Sequence, residues 1–169
     1  MTETRDDRVL VTVQPSVFRR WVAILIFIAL GAVLIWVAAK SANSIVLQVA
    51  FLGFGLLSVL AADKIRRATD DGIELTRKGL RTISGTHLAR VENVEKVDRG
   101  AFAFKPSNGF VVKLKEAEDP RGWAPGLWWR GGKLLGVGGV VSAGETKAMA
   151  ELLTAIIMDV LPEDFDDEK

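Results

Sequence analysis

The sequence predicts an α+β membrane protein, in which a two-helix transmembrane hairpin precedes a small antiparallel β domain closed by a C-terminal α-helix. Three observations carry this expectation. Two stretches of 19 residues, Trp21 to Ala39 and Ser44 to Ala62, contain no charged residue. Beyond Asp63 the pattern breaks into short alternating runs punctuated by turn residues. One strongly amphipathic segment then follows, from Ser142 to the helix-breaking Pro162.

Each uncharged stretch is about 28 Å long as a helix, enough to cross a hydrocarbon core. Neither has the polar face that a surface helix of a soluble domain requires. Trp21 and Trp36 lie towards the two ends of the first stretch, where indole rings favour a membrane interface. The connection Lys40-Ser41-Ala42-Asn43 is short enough to force the two helices antiparallel. Arg19 and Arg20 precede the pair and Lys64, Arg66 and Arg67 follow it, against Lys40 alone in the connection. The positive-inside rule therefore places both termini in the cytoplasm. Val37-Ala38-Ala39 also reads as a signal-cleavage site, but the apolar run is long for a signal peptide and a second run follows at once. Gly55, Ser58 and Ala62 form a seam of small residues, read first as packing inside the hairpin and second as contact with another copy of the chain. Gln48, the one strongly polar side chain inside either run, faces a partner helix or the headgroups.

The expected organisation is a cytoplasmic segment 1–20, spans 21–39 and 44–62, a cytoplasmic domain 70–162 and an acidic tail 163–169. Within the domain, Ile73-Glu74-Leu75-Thr76 and Leu80-Arg81-Thr82-Ile83 alternate on either side of an Arg77-Lys78-Gly79 turn, and Ser84-Gly85 is a second turn. Val91, Val94 and Val97 are three apart, a period shared by a bulged strand and a short helical turn. Ala101 to Phe104 and Phe110 to Lys115 read as strands around Pro106-Ser107-Asn108-Gly109. Trp128 to Arg130 and Lys133 to Val137 read as a hairpin about Gly131-Gly132. In the closing helix, Ser142 with Glu145 spells a capping box, and Met149, Leu152, Leu153, Ile156 and Val160 form the apolar stripe.

The Gln14-Pro15-Ser16 lead-in to the hairpin, the Ile73 to Arg81 strand-turn-strand, the Val91, Val94, Val97 segment and Leu135 to Gly139 before a helix resemble the bacterial pleckstrin-homology-like membrane proteins. The resemblance covers nearly the whole chain, on structural motifs. It implies a PH-like antiparallel β-barrel or sandwich of seven strands capped by the C-terminal helix, in a multi-pass protein of the bacterial inner (cytoplasmic) membrane. It also implies binding of protein or lipid and no shared catalytic site. The Pro120 to Trp129 stretch is richer in Trp, Gly and Pro than the family average.

Cysteine is absent and His87 is the single histidine, which removes disulfides, thiolate sites and any ordinary zinc ligand set. No Gly-x-Ser-x-Gly or acid-base constellation stands out, so neither enzyme activity nor a cofactor is expected. Gly136, Gly138 and Gly139 evoke a phosphate loop but lack the third glycine and the βαβ frame, leaving a tight strand-to-helix passage as the better reading. The net charge of +1 conceals a polarity. Lys64 to Lys147 holds sixteen Lys/Arg against ten Asp/Glu, whereas Asp159 and Glu163 to Glu168 are mostly acidic. Beside two apolar spans, this suits an anionic membrane surface better than nucleic acid. Two surfaces remain as candidates. One is protein contact through Trp123, Trp128, Trp129 and Arg130, residue types enriched at binding hot spots. The other is anionic lipid through Arg66, Arg67, Arg77, Lys78 and Arg81. The expected function is a non-catalytic, membrane-anchored binding or scaffolding module with a membrane-protein partner, the alternative being a sensor of anionic lipid headgroups.

Overall fold

The computed structural model describes residues 7–40, 44–100, 106–118 and 121–159. The first element is a strand, β1 (Val9–Val13), inside the segment expected to be a mere lead-in. Its Val-Leu-Val-Thr-Val run is rich in the β-branched residues that favour strands. Gln14-Pro15-Ser16 then connects to α1 (Val17–Lys40), and α2 (Ile45–Ala68) returns. Both helices have 24 residues and overrun the uncharged stretches on the side of the β domain. On α2 the overrun is held by Asp63, which accepts from Arg66 at 3.0 Å and Arg67 at 2.7 Å.

The helices meet along a narrow seam. Ile24, Gly31 and Ala38 are buried on α1, and Gly55 and Ala62 on α2, all at intervals of seven. Gly31 and Gly55 let the backbones approach: a Cβ on Gly31 would lie 2.8 Å from Val59 Cγ2, and one on Gly55 2.8 Å from Ile35 Cγ1. The small-residue seam thus serves the hairpin itself. Gln48 is half-buried. Only 17% and 11% of the most apolar windows of α1 and α2 are buried, unlike the core helix of a soluble domain. Both are long and apolar enough to cross a membrane.

The rest is two antiparallel sheets and a helix. One sheet has the order β1-β2-β3-β4, with β2 (Ile73–Thr76), β3 (Gly79–Thr82) and β4 (His87–Arg90). The other has the order β5-β6-β9-β8-β7, from β5 (Val94–Asp98), β6 (Phe110–Leu114), β7 (Gly122–Ala124), β8 (Trp128–Gly131) and β9 (Leu134–Val137). The described residues therefore form nine strands, against seven implied by the resemblance. β7 and β8 account for two of them, as a hairpin added to the outer edge of β9. The ambiguous Val91 to Val97 segment is both things at once. Val91–Asn93 is a 3-10 turn, and β5 pairs with β6 through a register shift between Val94 and Lys96. The expected strand Ala101 to Phe104 and the acidic tail lie outside the described residues.

Side chains from both sheets and from α3 (Ala143–Ile157) share one core, including Val13, Ile73, Leu75, Leu88, Phe110, Leu114, Leu135, Met149 and Leu153. The apolar stripe of α3 faces inward as its spacing requires, with Val160 beyond the described residues. The capping box does not form. Ser142 occupies the N-cap without a side-chain hydrogen bond, and the Glu145 carboxylate instead accepts the Gln14 N–H at 3.1 Å. A local motif has been diverted to a long-range contact that ties α3 to the end of β1.

The link from α2 into β2 is clasped by Asp71. Its carboxylate accepts from the Gly72 N–H at 2.9 Å, the Ser84 N–H at 3.1 Å and the Ser84 hydroxyl at 2.6 Å, fastening the β3–β4 turn. Partial burial pushes this carboxyl up, but those bonds outweigh it and hold Asp71 below the ordinary carboxylate range. Stability from a depressed carboxyl is complete above its unfolded value and disappears as pH falls through the folded one. The midpoint of thermal unfolding in mild detergent should therefore drop on the acid side of about pH 4, and Asp71→Asn should flatten that part of the profile. For the helix seam, Gly31→Ile should destabilise the protein by about 1–3 kcal/mol, read by the same melt. Gly53→Ile is the control, because a Cβ there meets nothing within 4 Å.

Candidate functional site

The tryptophans are organised by the β7–β8 hairpin. Trp123 pairs with Trp129 and Ala124 with Trp128. Directly opposed residues share a face and successive ones alternate, so Trp123 and Trp129 stand on one face and Trp128 on the other. Trp128 packs against the core. Trp129 lies over Gly136, where an added Cβ would fall 2.2 Å from the indole Nε1. Glycine at that position is what lets the ring lie flat on the sheet. Trp123 is 61% exposed, and the Lys64 ammonium of α2 sits 4.6 Å from its ring centroid, a cation–π contact. The three rings border a cleft of about 260 Å³ with Pro106, Ala124, Gly126, Gly138 and Gly139.

This cleft adjoins the ends of both long helices. The chain after β9 bonds back to the start of α1, with Ser16 N–H donating to the Val140 carbonyl at 2.8 Å and Arg19 to the Val141 carbonyl at 3.0 Å. Arg20 donates to the Arg66 carbonyl at 3.0 Å and pairs with Asp70. The glycines here cradle no phosphate. The N–H groups of Gly138, Gly139 and Val140 donate to the carbonyls of Leu127, Ser107 and Gly126 at 2.9, 2.7 and 2.9 Å. The passage is filled by its own backbone.

Arg130 does not join the tryptophans. It is 4% exposed, and its Nη1 donates to the Leu88 carbonyl at 2.5 Å and the His87 carbonyl at 3.4 Å. It braces β8 of one sheet to β4 of the other, a use of the guanidinium fork that a hot-spot reading does not foresee.

The basic residues divide in two. Arg66 and Arg67 remain at the end of α2, paired with Asp63. Arg77, Lys78 and Arg81 come together along an open groove of about 710 Å³, joined by His87, Arg90, Asp7 and Glu92. Arg81 Nε bonds Glu74 across the strand pair at 3.0 Å, and Lys78 pairs with Asp7 at 2.9 Å. Sequence reasoning missed His87 and Arg90 because β4 brings them in from a separate strand. His87 stands at the first residue of β4 and is exposed. The groove runs along β3 and β4, with Gly85 and His87 towards the helix side and Arg77, Lys78 and Arg90 at the remote strand ends. Val13 pairs with Ile73 beside the helices, and Val9 pairs with Thr76 at the other end, next to the Arg77-Lys78 turn.

Among the described residues no three His, Cys, Asp or Glu side chains group as metal ligands. Comparison with known proteins finds no matching family model, no matching curated protein and no matching solved structure. The site must be read from its own chemistry.

The brace makes a definite prediction. Arg130→Ala should destabilise the folded protein by about 1–3 kcal/mol, because the buried Leu88 carbonyl loses its charged donor and the part-buried His87 carbonyl a weaker one. Arg130→Lys should recover little of it, and detergent-phase denaturant melts of both variants check this.

Proposed function

We propose that the chain is a membrane-anchored binding or scaffolding module of the bacterial inner membrane, without catalytic activity. Its two helices cross the bilayer, both termini are cytoplasmic, and a PH-like domain sits directly beneath. The observation that carries this reading is the exposed Trp123, held by Lys64 at the membrane-side end of the domain and bordering a cleft with Trp128 and Trp129. Three indoles around a cleft beside the exit of a transmembrane helix suit the juxtamembrane segment of a membrane-protein partner, where an apolar body and a polar tip are both needed. Two sheets closed by a C-terminal helix, with a charged groove at the far end, are compatible with the PH-like assignment. The orientation rests on the arginines and lysines at the domain-side ends of the helices.

A second reading, a sensor of anionic headgroups, is favoured by the four Lys and Arg residues of the larger groove. The place of Arg77, Lys78 and Arg90 at the strand ends remote from the helices counts against it. Arg66 and Arg67 are better placed, but Asp63 offsets part of their charge.

The test is purification of tagged protein from native membranes in mild detergent, with proteins and retained lipids identified by mass spectrometry. A stoichiometric membrane protein that is lost with Trp123→Ala but retained with Arg77→Ala supports the scaffold. Recovery alone with a selectively enriched anionic lipid moves the sensor reading to the front. Topology is checked separately, since the chain has no cysteine. Asn43→Cys should react with an impermeant maleimide from the outer side of the membrane, and Glu116→Cys should not. The reverse pattern overturns the orientation.

A further inference from the structure

We propose that the basic groove at the β2–β3 turn seats the chain's own acidic segment, Glu163 to Glu168. The inference does not depend on the Trp-cleft reading, because the groove and the cleft share no lining residue.

The groove is built for an anionic chain. Arg77, Lys78, Arg81 and Arg90 line it with the carboxylates of Asp7 and Glu92 and the half-buried Val91. Residues 163–168 read Glu-Asp-Phe-Asp-Asp-Glu, five carboxylates around one aromatic ring. Four cations thus face a run of five carboxylates, and the complementarity is one of charge.

The direction of α3 delivers this segment to the groove. Its first turn is fixed at the end of β1 by the Glu145 bond to the Gln14 N–H, and Glu151 in its middle pairs with Arg99 just after β5. The helix packs on β1, on β5 and on the turn Val91–Asn93. It therefore runs antiparallel to β1, and fifteen residues carry it about 22 Å, slightly more than the roughly 17 Å of a five-residue strand. Its end emerges where β1 begins, beside Val91 and Glu92 on the rim of the groove. From Asp159, fully extended chain reaches about 13 Å by Glu163 and about 31 Å by Glu168, which spans the groove. Closing so short a loop costs little entropy, and the tether supplies an effective concentration on the order of millimolar. Exposed ion pairs are individually weak, so the seating is reversible and yields to salt.

A zero-length carbodiimide, which condenses a lysine amine with a carboxylate, tests this on the full chain in zwitterionic detergent. The expected product joins Lys78 to a carboxylate among Glu163 to Glu168, at a yield unchanged by tenfold dilution. In 0.5 M NaCl that yield should fall about threefold or more, as screening of exposed pairs dictates. Arg77→Ala with Arg90→Ala should lower it similarly while leaving the melting midpoint in place. Coupling of Lys78 to Asp7 or Glu92 alone overturns the proposal. Tail products that vanish on dilution also overturn it, since they identify a second copy as the donor. If the double variant melts early, the salt response of the unaltered protein decides.

Discussion

The pairing of Val13 with Ile73 is the constraint on which the rest of the molecule depends. These residues are neighbours in one sheet, yet all of α1 and α2 lies between them in the chain. For the pair to close, α1 must start and α2 must end at the same place. Two antiparallel helices of equal length meet that condition, and both have 24 residues. The Gly31–Gly55 approach sets their separation, so helix spacing and sheet closure are one geometric problem. The contacts of Arg19 with Val141, Arg20 with Asp70 and Asp71 with Ser84 surround this junction and fix the angle at which the domain leaves the helices. These pairs are partly exposed and individually modest; their effect is to orient.

The two candidate surfaces follow from the same frame. Strands that begin at the helix junction carry their far turns away from it, which separates Arg77, Lys78 and Arg90 from the tryptophans. The Trp hairpin is brought back to the junction because β8 pairs with β9, whose continuation through Gly138 to Val141 bonds to the start of α1. One sheet thus presents its apolar cleft beside the helices, and the other carries a groove whose most cationic end lies at a distance.

Much of this was legible in the sequence, and the failures have physical causes. Uncharged runs of nineteen residues announce the long helices, since each is long enough for about five turns without a polar face. Hairpins about Lys78-Gly79 and Gly131-Gly132 were equally plain. β1 has strand composition from Val9 to Val13, but its partner stands on the far side of the helices and no local turn signals the pairing. Ser142 and Glu145 have the spacing of a capping box, but Gln14 competes for the carboxylate and prevails. Arg130 looked like a surface anchor since its neighbours are tryptophans; only the packing of two sheets shows that it points inward. Arg77, Lys78 and Arg81 were readable as a cluster because they share one hairpin, whereas Arg90 required knowing which strand comes next to β3.

Inserting both helices between the first two strands also governs the order of events during synthesis. Val13 leaves the ribosome sixty residues ahead of Ile73. At cellular elongation rates that interval is roughly 3–12 s, far longer than a hairpin needs to form. Throughout it β1 has no partner in its sheet, while both apolar helices are completed. The first strand of the domain therefore waits longest in its sheet for a partner, and both helices are complete before its pairing with β2 can begin.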